Sequence, residues 1–245
     1  GYSILASDLE LTFTNNAKLI SYSPIKFIGS EDQLISVSAK SGTTSEFRIM
    51  EGNSKIVNTT FTNNIHLNYY TGSFTIKNCT FSNYDKNHVI QGYKTNISLE
   101  NCVFSNSSNS SLRLLFSNAD LKNVGFLDGI KKGIVVTGGK VSLEKVNFFG
   151  LENAIYAKEL AEINGEKIKV NNSSIALIAR NGSKIDIQNC EIENCEIGLK
   201  AYSKSKVHQN STITIFNSSL DCKQNYILEK ESTIIIDGKK QITLN

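Results

Sequence analysis

The segment SFTIKNCTFSN at 73–83 returns almost unchanged as NISLENCVFSN at 96–106. Each copy alternates apolar and polar residues, reaches an asparagine, and continues with a second alternating run, the period-two pattern of a half-buried strand on each side of a bend. Anchoring every such unit on the polar residue after its first run gives Asn58, Asn78, Asn101, Asn123, Lys145, Gly165, Asn189 and Asn217, spaced 20 to 28 residues apart. Two positions before the anchor stand Ile56, Ile76, Leu99, Leu121, Leu143, Ile163, Ile187 and Ile215, and three positions after it Phe61, Phe81, Phe104, Phe126, Phe148, Ile168, Ile192 and Leu220. Sixteen apolar residues at two fixed offsets from a polar anchor mark a structural repeat of about 22 residues.

Between units lies another short apolar strand: HVIQG at 88–92, LRLLF at 112–116, GIVVTGG at 133–139, AIYAK at 154–158, IALIAR at 175–180, IGLKAY at 197–202 and YILEK at 226–230. One such unit cannot enclose a core. Stacking like strands roughly 4.8 Å apart buries the inward residues of each coil against the next, so the pattern predicts an all-β parallel solenoid of about 9 to 11 coils.

The anchor suits that geometry. A sharp bend between strands needs a residue that tolerates the left-handed region, which Asn and Gly do best, and stacked asparagines can bond to one another along the axis. A second polar column follows five residues later, in Asn63, Asn83, Asn106, Asp128, Gly150 and Asn194. Over roughly 50–222 these marks resemble the right-handed parallel β-helix of the pectate-lyase-like superfamily, and the expected hand comes from that resemblance. The opening phrase NNAKLISYSPIKFIGSEDQLI is similar to the first coils of bacterial secreted and cell-surface β-helix proteins. The chain thus reads as a single β-helix domain over 1–245, with less regular coils at 1–52, regular repeats at 53–222 and capping strands at 223–245. Its strand-like start at Gly1 suggests a mature or excised domain, and the resemblance implies an extracellular or cell-surface location.

Cys79, Cys102 and Cys190 all follow their anchors directly, so they read as a core column of free thiols, with a Cys79–Cys102 disulfide as the alternative. Cys195 and Cys222 fall in or near the second polar column. His66, His88 and His208 lie apart in the repeat register with no second ligand at metal spacing, so no metal site and no cofactor are expected. The sequons around Asn58, Asn78 and Asn217 are accounted for by the bend. No nucleophile elbow or phosphate loop occurs.

In the resembled superfamily, lyases and hydrolases use the outer face of one strand per coil, and their chemistry needs carboxylates that hold calcium or act as a pair. With Ile90/Gly92, Leu112/Leu114, Ile134/Val136, Ile155/Ala157 and Ala176/Ile178 inward, the outward residues are Gln91, Arg113, Val135, Tyr156 and Leu177, none acidic. Lys132 and Asn153 stand where related chains carry an acid. The column Lys77, Glu100, Lys122, Glu144 reads as pairing between coils, and Asp120, Glu162 and Asp186 as a solvated acidic face.

What remains is a mixed cationic, polar and aromatic strip, Gln91, Arg113, Lys132, Tyr156, Arg180 and Tyr202, of the kind that recognises sugars or carboxylates. With 26 basic and 23 acidic side chains and no run of like charge, nucleic acid is not an expected partner, and no segment approaches the roughly 18 apolar residues of a membrane span. The expected function is a non-catalytic domain that binds or presents polysaccharide or acts as a rigid scaffold. The alternatives are a polysaccharide lyase or hydrolase with acids supplied by loops or a partner, and an assembly module for a protein partner.

Overall fold

A computed structural model describes residues 2–5, 9–129, 131–204, 210–229 and 231–242; His208 lies outside them. The chain is a parallel β-solenoid of about 10 turns, with no helix among the described residues. Three strand columns run its length. One holds Tyr2–Leu5, Ile25–Ile28, Asn53–Val57 and Gly72–Lys77, then the first halves of the long strands Thr95–Ser107, Asn118–Leu127, Lys140–Phe149, Glu162–Asn171 and Lys184–Tyr202, with Thr212–Phe216 and Thr233–Ile236 last. The long strands bend at the anchor and enter a second column that starts at Glu10–Phe13. A third, from Lys18–Ser21 through Ser45–Ile49, Ile65–Tyr69, Ile90–Tyr93, Ser110–Leu115, Lys132–Thr137, Asn153–Lys158 and Ile175–Arg180, forms the remaining face. The pairing is parallel except where Thr233–Ile236 meets Lys239–Lys240.

The anchor works by backbone conformation and by side-chain bonding together. Asn58, Asn78, Asn101, Asn123, Lys145, Asn189 and Asn217 all have φ between 50° and 54°. Asn78, Asn101 and Asn123 each donate Nδ2 to the Oδ1 of the asparagine one coil earlier, at 2.9, 3.1 and 2.8 Å. Inward of the second column, Phe61, Phe81, Phe104, Phe126 and Phe148 form one pile with centroids 4.6 to 5.2 Å apart and planes within 10° of parallel. Such offset stacking adds to the apolar burial.

The sixth anchor differs from the sequence reading. Gly165 pairs with Leu143 and Ile187 inside the first column, and the left-handed residue is Lys167, at φ 58°. Ile163 therefore aligns with Val141 and Ile185, Ile168 joins the cysteine column opposite Cys190, and Val170 takes the place on the phenylalanine pile. Asn172, at φ 55°, fills the gap in the second polar column between Gly150 and Asn194.

The inter-coil charges fall as read for Lys77 with Glu100 and Lys122 with Glu144, the latter at 3.1 Å. Glu162 leaves the acidic column. It pairs with Lys140 at 3.0 Å, and Asn164 stands between Ser142 and Asp186. All five cysteines are free, and only Cys222 is not fully buried. Cys195 and Cys222 are register partners on neighbouring strands.

Candidate functional site

The third column's outer face is set by which residues its strands turn inward. Leu67, Ile90, Leu112, Ile134, Ile155, Leu177 and Leu199 share one inward row. Leu177 is inward with Ala179, and the outward residue of that coil is Ile178, a correction to the pairing Ala176/Ile178. The run IALIA is apolar on both faces, so alternation alone does not fix its side. The outward row is therefore Arg48, Asn68, Gln91, Arg113, Val135, Tyr156, Ile178 and Lys200. The row beside it runs Tyr93, Leu115, Thr137, Lys158, Arg180 and Tyr202.

All six strip residues are half-buried on this face, and they form two groups. In the first, Arg180 Nη1 donates to the Tyr156 hydroxyl at 3.2 Å, and the Tyr156 and Tyr202 hydroxyls meet at 3.3 Å. The Lys132 ammonium lies 5.5 Å from the centre of the Tyr156 ring, within cation–π range, and Lys200 lies 5.2 Å from that of Tyr202. These side chains roof the sheet: Val135 and Ile178 face outward, yet only 6% and 5% of their surface is accessible. Burial raises the Tyr156 phenol, but hydrogen bonds from Tyr202 and Arg180 and the charges of Arg180 and Lys158 outweigh it and leave the pKa below its usual value. Tyr202 is pushed the other way, by burial first and then by its bond with Tyr156.

The second group was not legible from the sequence. Arg113 does not reach Tyr156; its Nη1 donates to His88 Nε2 at 2.7 Å. His66 and His88, read as separate, are joined by a bond from His66 Nδ1 to the His88 carbonyl. His66 and His88 are 22 residues apart, one repeat, and that interval was the available signal. Gln91 lies beside them in a recess that also takes in Glu46, Arg48 and Asn68. Glu46 accepts from Arg48 Nε at 2.9 Å, Arg48 Nη2 at 3.2 Å and Asn68 Nδ2 at 2.7 Å. Burial raises its carboxyl, and these bonds with the charges of Arg48 and Lys18 bring it below 4.5.

Arg113, Lys132, Lys158, Arg180 and Lys200 make the face cationic. Such a surface can bind anions through guanidinium and ammonium donors and can pack sugar rings on its tyrosines. Among the described residues no cluster of three or more acids, histidines and cysteines is arranged to hold a metal, and no helix is long and apolar enough to cross a membrane.

No protein family's sequence profile matches the chain, and no curated protein matches it either. Two solved structures align with most of it. A variant catalytic domain of a GH87 alpha-1,3-glucanase in complex with tetrasaccharides is 11% identical with a TM-score of 0.45, and a GH87 alpha-1,3-glucanase catalytic domain in complex with nigerose is 9% identical with a TM-score of 0.40. Each alignment covers 92% of this chain and 62% of the other, so the chain spans about three fifths of the length of those structures.

Proposed function

We propose that residues 1–245 act as one β-helix unit, outside the cell or on its surface, that binds an acidic polysaccharide along the third column without cleaving it. The observation that carries this reading is the Arg180–Tyr156–Tyr202 arrangement with Lys132 over the Tyr156 ring. Its donors and aromatic faces are held by one another on strands that cannot shift singly, so little side-chain freedom is lost on binding. The strip contains no carboxylate, and the two beside it are engaged: Glu159, 3.9 Å from Arg180 Nη2, accepts from Asn181 Nδ2 at 2.8 Å, and Glu46 accepts from Arg48 and Asn68.

The test is a glycan array with the purified protein. Acidic glycans are retained, and replacing Arg113 and Tyr156 together by alanine weakens retention. Retention of no glycan would leave the scaffold or protein-partner reading.

A second reading, hydrolysis, draws on a groove on the first column where Glu144 and Glu166 are register partners and Asp186 and the 58% exposed Phe216 line the same wall. Glu144 and Glu166 are each bound to a lysine, at 3.1 and 3.3 Å, which ranks this reading second. Release of reducing sugar that Glu166→Gln abolishes would put it first.

A further inference from the structure

The recess at the N-terminal end of the cationic face is a built pocket of about 390 Å³. Its floor is the outward row of three strands, with Glu46 and Arg48 on one, His66 and Asn68 on the next and Gln91 on the third. One wall is the loop carrying Asn87 and His88. Asn64 Oδ1 holds that loop by accepting from the Asp85 amide at 2.9 Å.

Hydrogen bonding and burial together fix the state of both imidazoles. Arg113 can only donate, so His88 Nε2 accepts and its proton sits on Nδ1, a buried atom with no partner. The His88 carbonyl can only accept, so His66 Nδ1 donates; burial lowers the pKa of that ring, which leaves Nε2 a buried acceptor, also without a partner. His66 is 3% exposed. Both rings are therefore neutral, and they stand among the cations Lys18, Arg48, Arg113 and Lys132, with Glu46 and Asp85 as the facing acids.

The pocket has more donors than acceptors. Glu46 has three of its roughly four acceptor positions filled. Arg48 spends Nε and Nη2 on it and keeps Nη1, while Lys18 stands 3.9 Å from Glu46 with its ammonium otherwise open. The amides of Asn87 and Gln91 complete the rim. Donors of this density in a half-enclosed site favour an oxyanion, and the amides favour hydroxyls beside it.

We infer that this pocket binds one sugar residue carrying an oxyanion, a carboxylate or a sulfate ester, with the anion on Arg48 and Lys18 and the ring hydroxyls on Asn68, Asn87 and Gln91. The inference rests on the acidic-glycan reading of the strip, and it makes the pocket the end position of the bound chain. An anion there also lowers the cost of a proton on His88. That ring is held near pKa 4 by burial and by Arg113, His66 and Lys132, so occupancy raises its midpoint.

The chain has three histidines, which makes ring NMR on the whole protein a direct readout. D-Glucuronate and a sulfated monosaccharide are titrated against D-glucose and inorganic sulfate. Either acidic sugar is expected to shift the His66 and His88 signals and raise the His88 midpoint, at least about tenfold more tightly than glucose or free sulfate. Lys18→Ala, at a side chain 60% exposed and so safe for folding, weakens the acidic sugars and leaves glucose unaffected. Equal response to glucose overturns the oxyanion, equal response to free sulfate overturns the sugar, and silent histidines overturn the site. If an acidic oligosaccharide binds and responds to Tyr156→Ala while both histidines stay silent, the pocket falls and the strip stands. Histidine shifts with an oligosaccharide insensitive to Tyr156→Ala give the reverse.

Discussion

The Tyr156 and Tyr202 hydroxyls meet at 3.3 Å across an intervening coil, spanning Ile178 between them. The two phenols share one proton-rich contact beside Arg180, so their ionisation is split: Tyr156 gives up its proton more readily and Tyr202 less.

Tyrosinate absorbance tests that split. In the wild type one component rises below the usual range near 10, and Tyr156→Phe removes it and lets Tyr202 ionise earlier than before. A profile that Tyr156→Phe leaves unchanged would show that the hydroxyls are not in contact.

Phe116 is 60% exposed and holds φ 50°, a conformation that costs an aromatic residue about 1 kcal/mol or more. Phe116→Asn is expected to stabilise the protein by about 1 kcal/mol, seen as a rise in the denaturation midpoint, because asparagine tolerates that φ and little apolar burial is lost. A lowered midpoint would mean that the ring's cover over Gly138 matters more than the strain.

Acid should weaken the fold before most carboxylates titrate. His88 has a folded pKa of about 4 against about 6.5 when unfolded, so the unfolded chain binds more protons between these values. The stability is whole above pH 6.5 and is lost as pH falls towards 4. Melting temperatures across that window are expected to fall, and His88→Gln to flatten the slope. An equally steep fall in the variant would assign the effect to other groups.

Thiol labelling separates the cysteines. Cys79, Cys102, Cys190 and Cys195 are buried, and Cys222 is partly accessible with its thiol pushed up to about 11 by burial and by Cys195. The reduced native protein should give one slowly reacting thiol at Cys222, faster at higher pH, and five after denaturation. Rapid labelling of Cys79 or Cys102 would show that their coils open.

The solenoid was readable because each regular coil repeats two independent marks, an asparagine at the bend and an aliphatic or aromatic residue at fixed offsets. Reading failed where one coil lost the asparagine and the aliphatic residue two places before it. Between Lys145 and Asn189 the bend residue is lysine and a glycine occupies an inward place, so Ile163 and Ile168 fit either of two registers. Taking Lys167 as the anchor restores intervals of 22 residues on both sides. The strip's composition was legible, but its partners were not. Arg113 turns to His88 because a loop from the preceding coil reaches over the sheet, and alternation within strands carries no information about loops.

The phenylalanine pile covers only part of the column: after Phe148 the same places are taken by Val170, Ile192 and Leu220. Pulled from its two ends, the rod should not yield evenly. The aliphatic coils towards the C-terminus lack ring-on-ring contacts and should peel away at lower force, while the aromatic half holds as a stiff segment. Single-molecule extension would record an early release from one end and a later rupture of the rest.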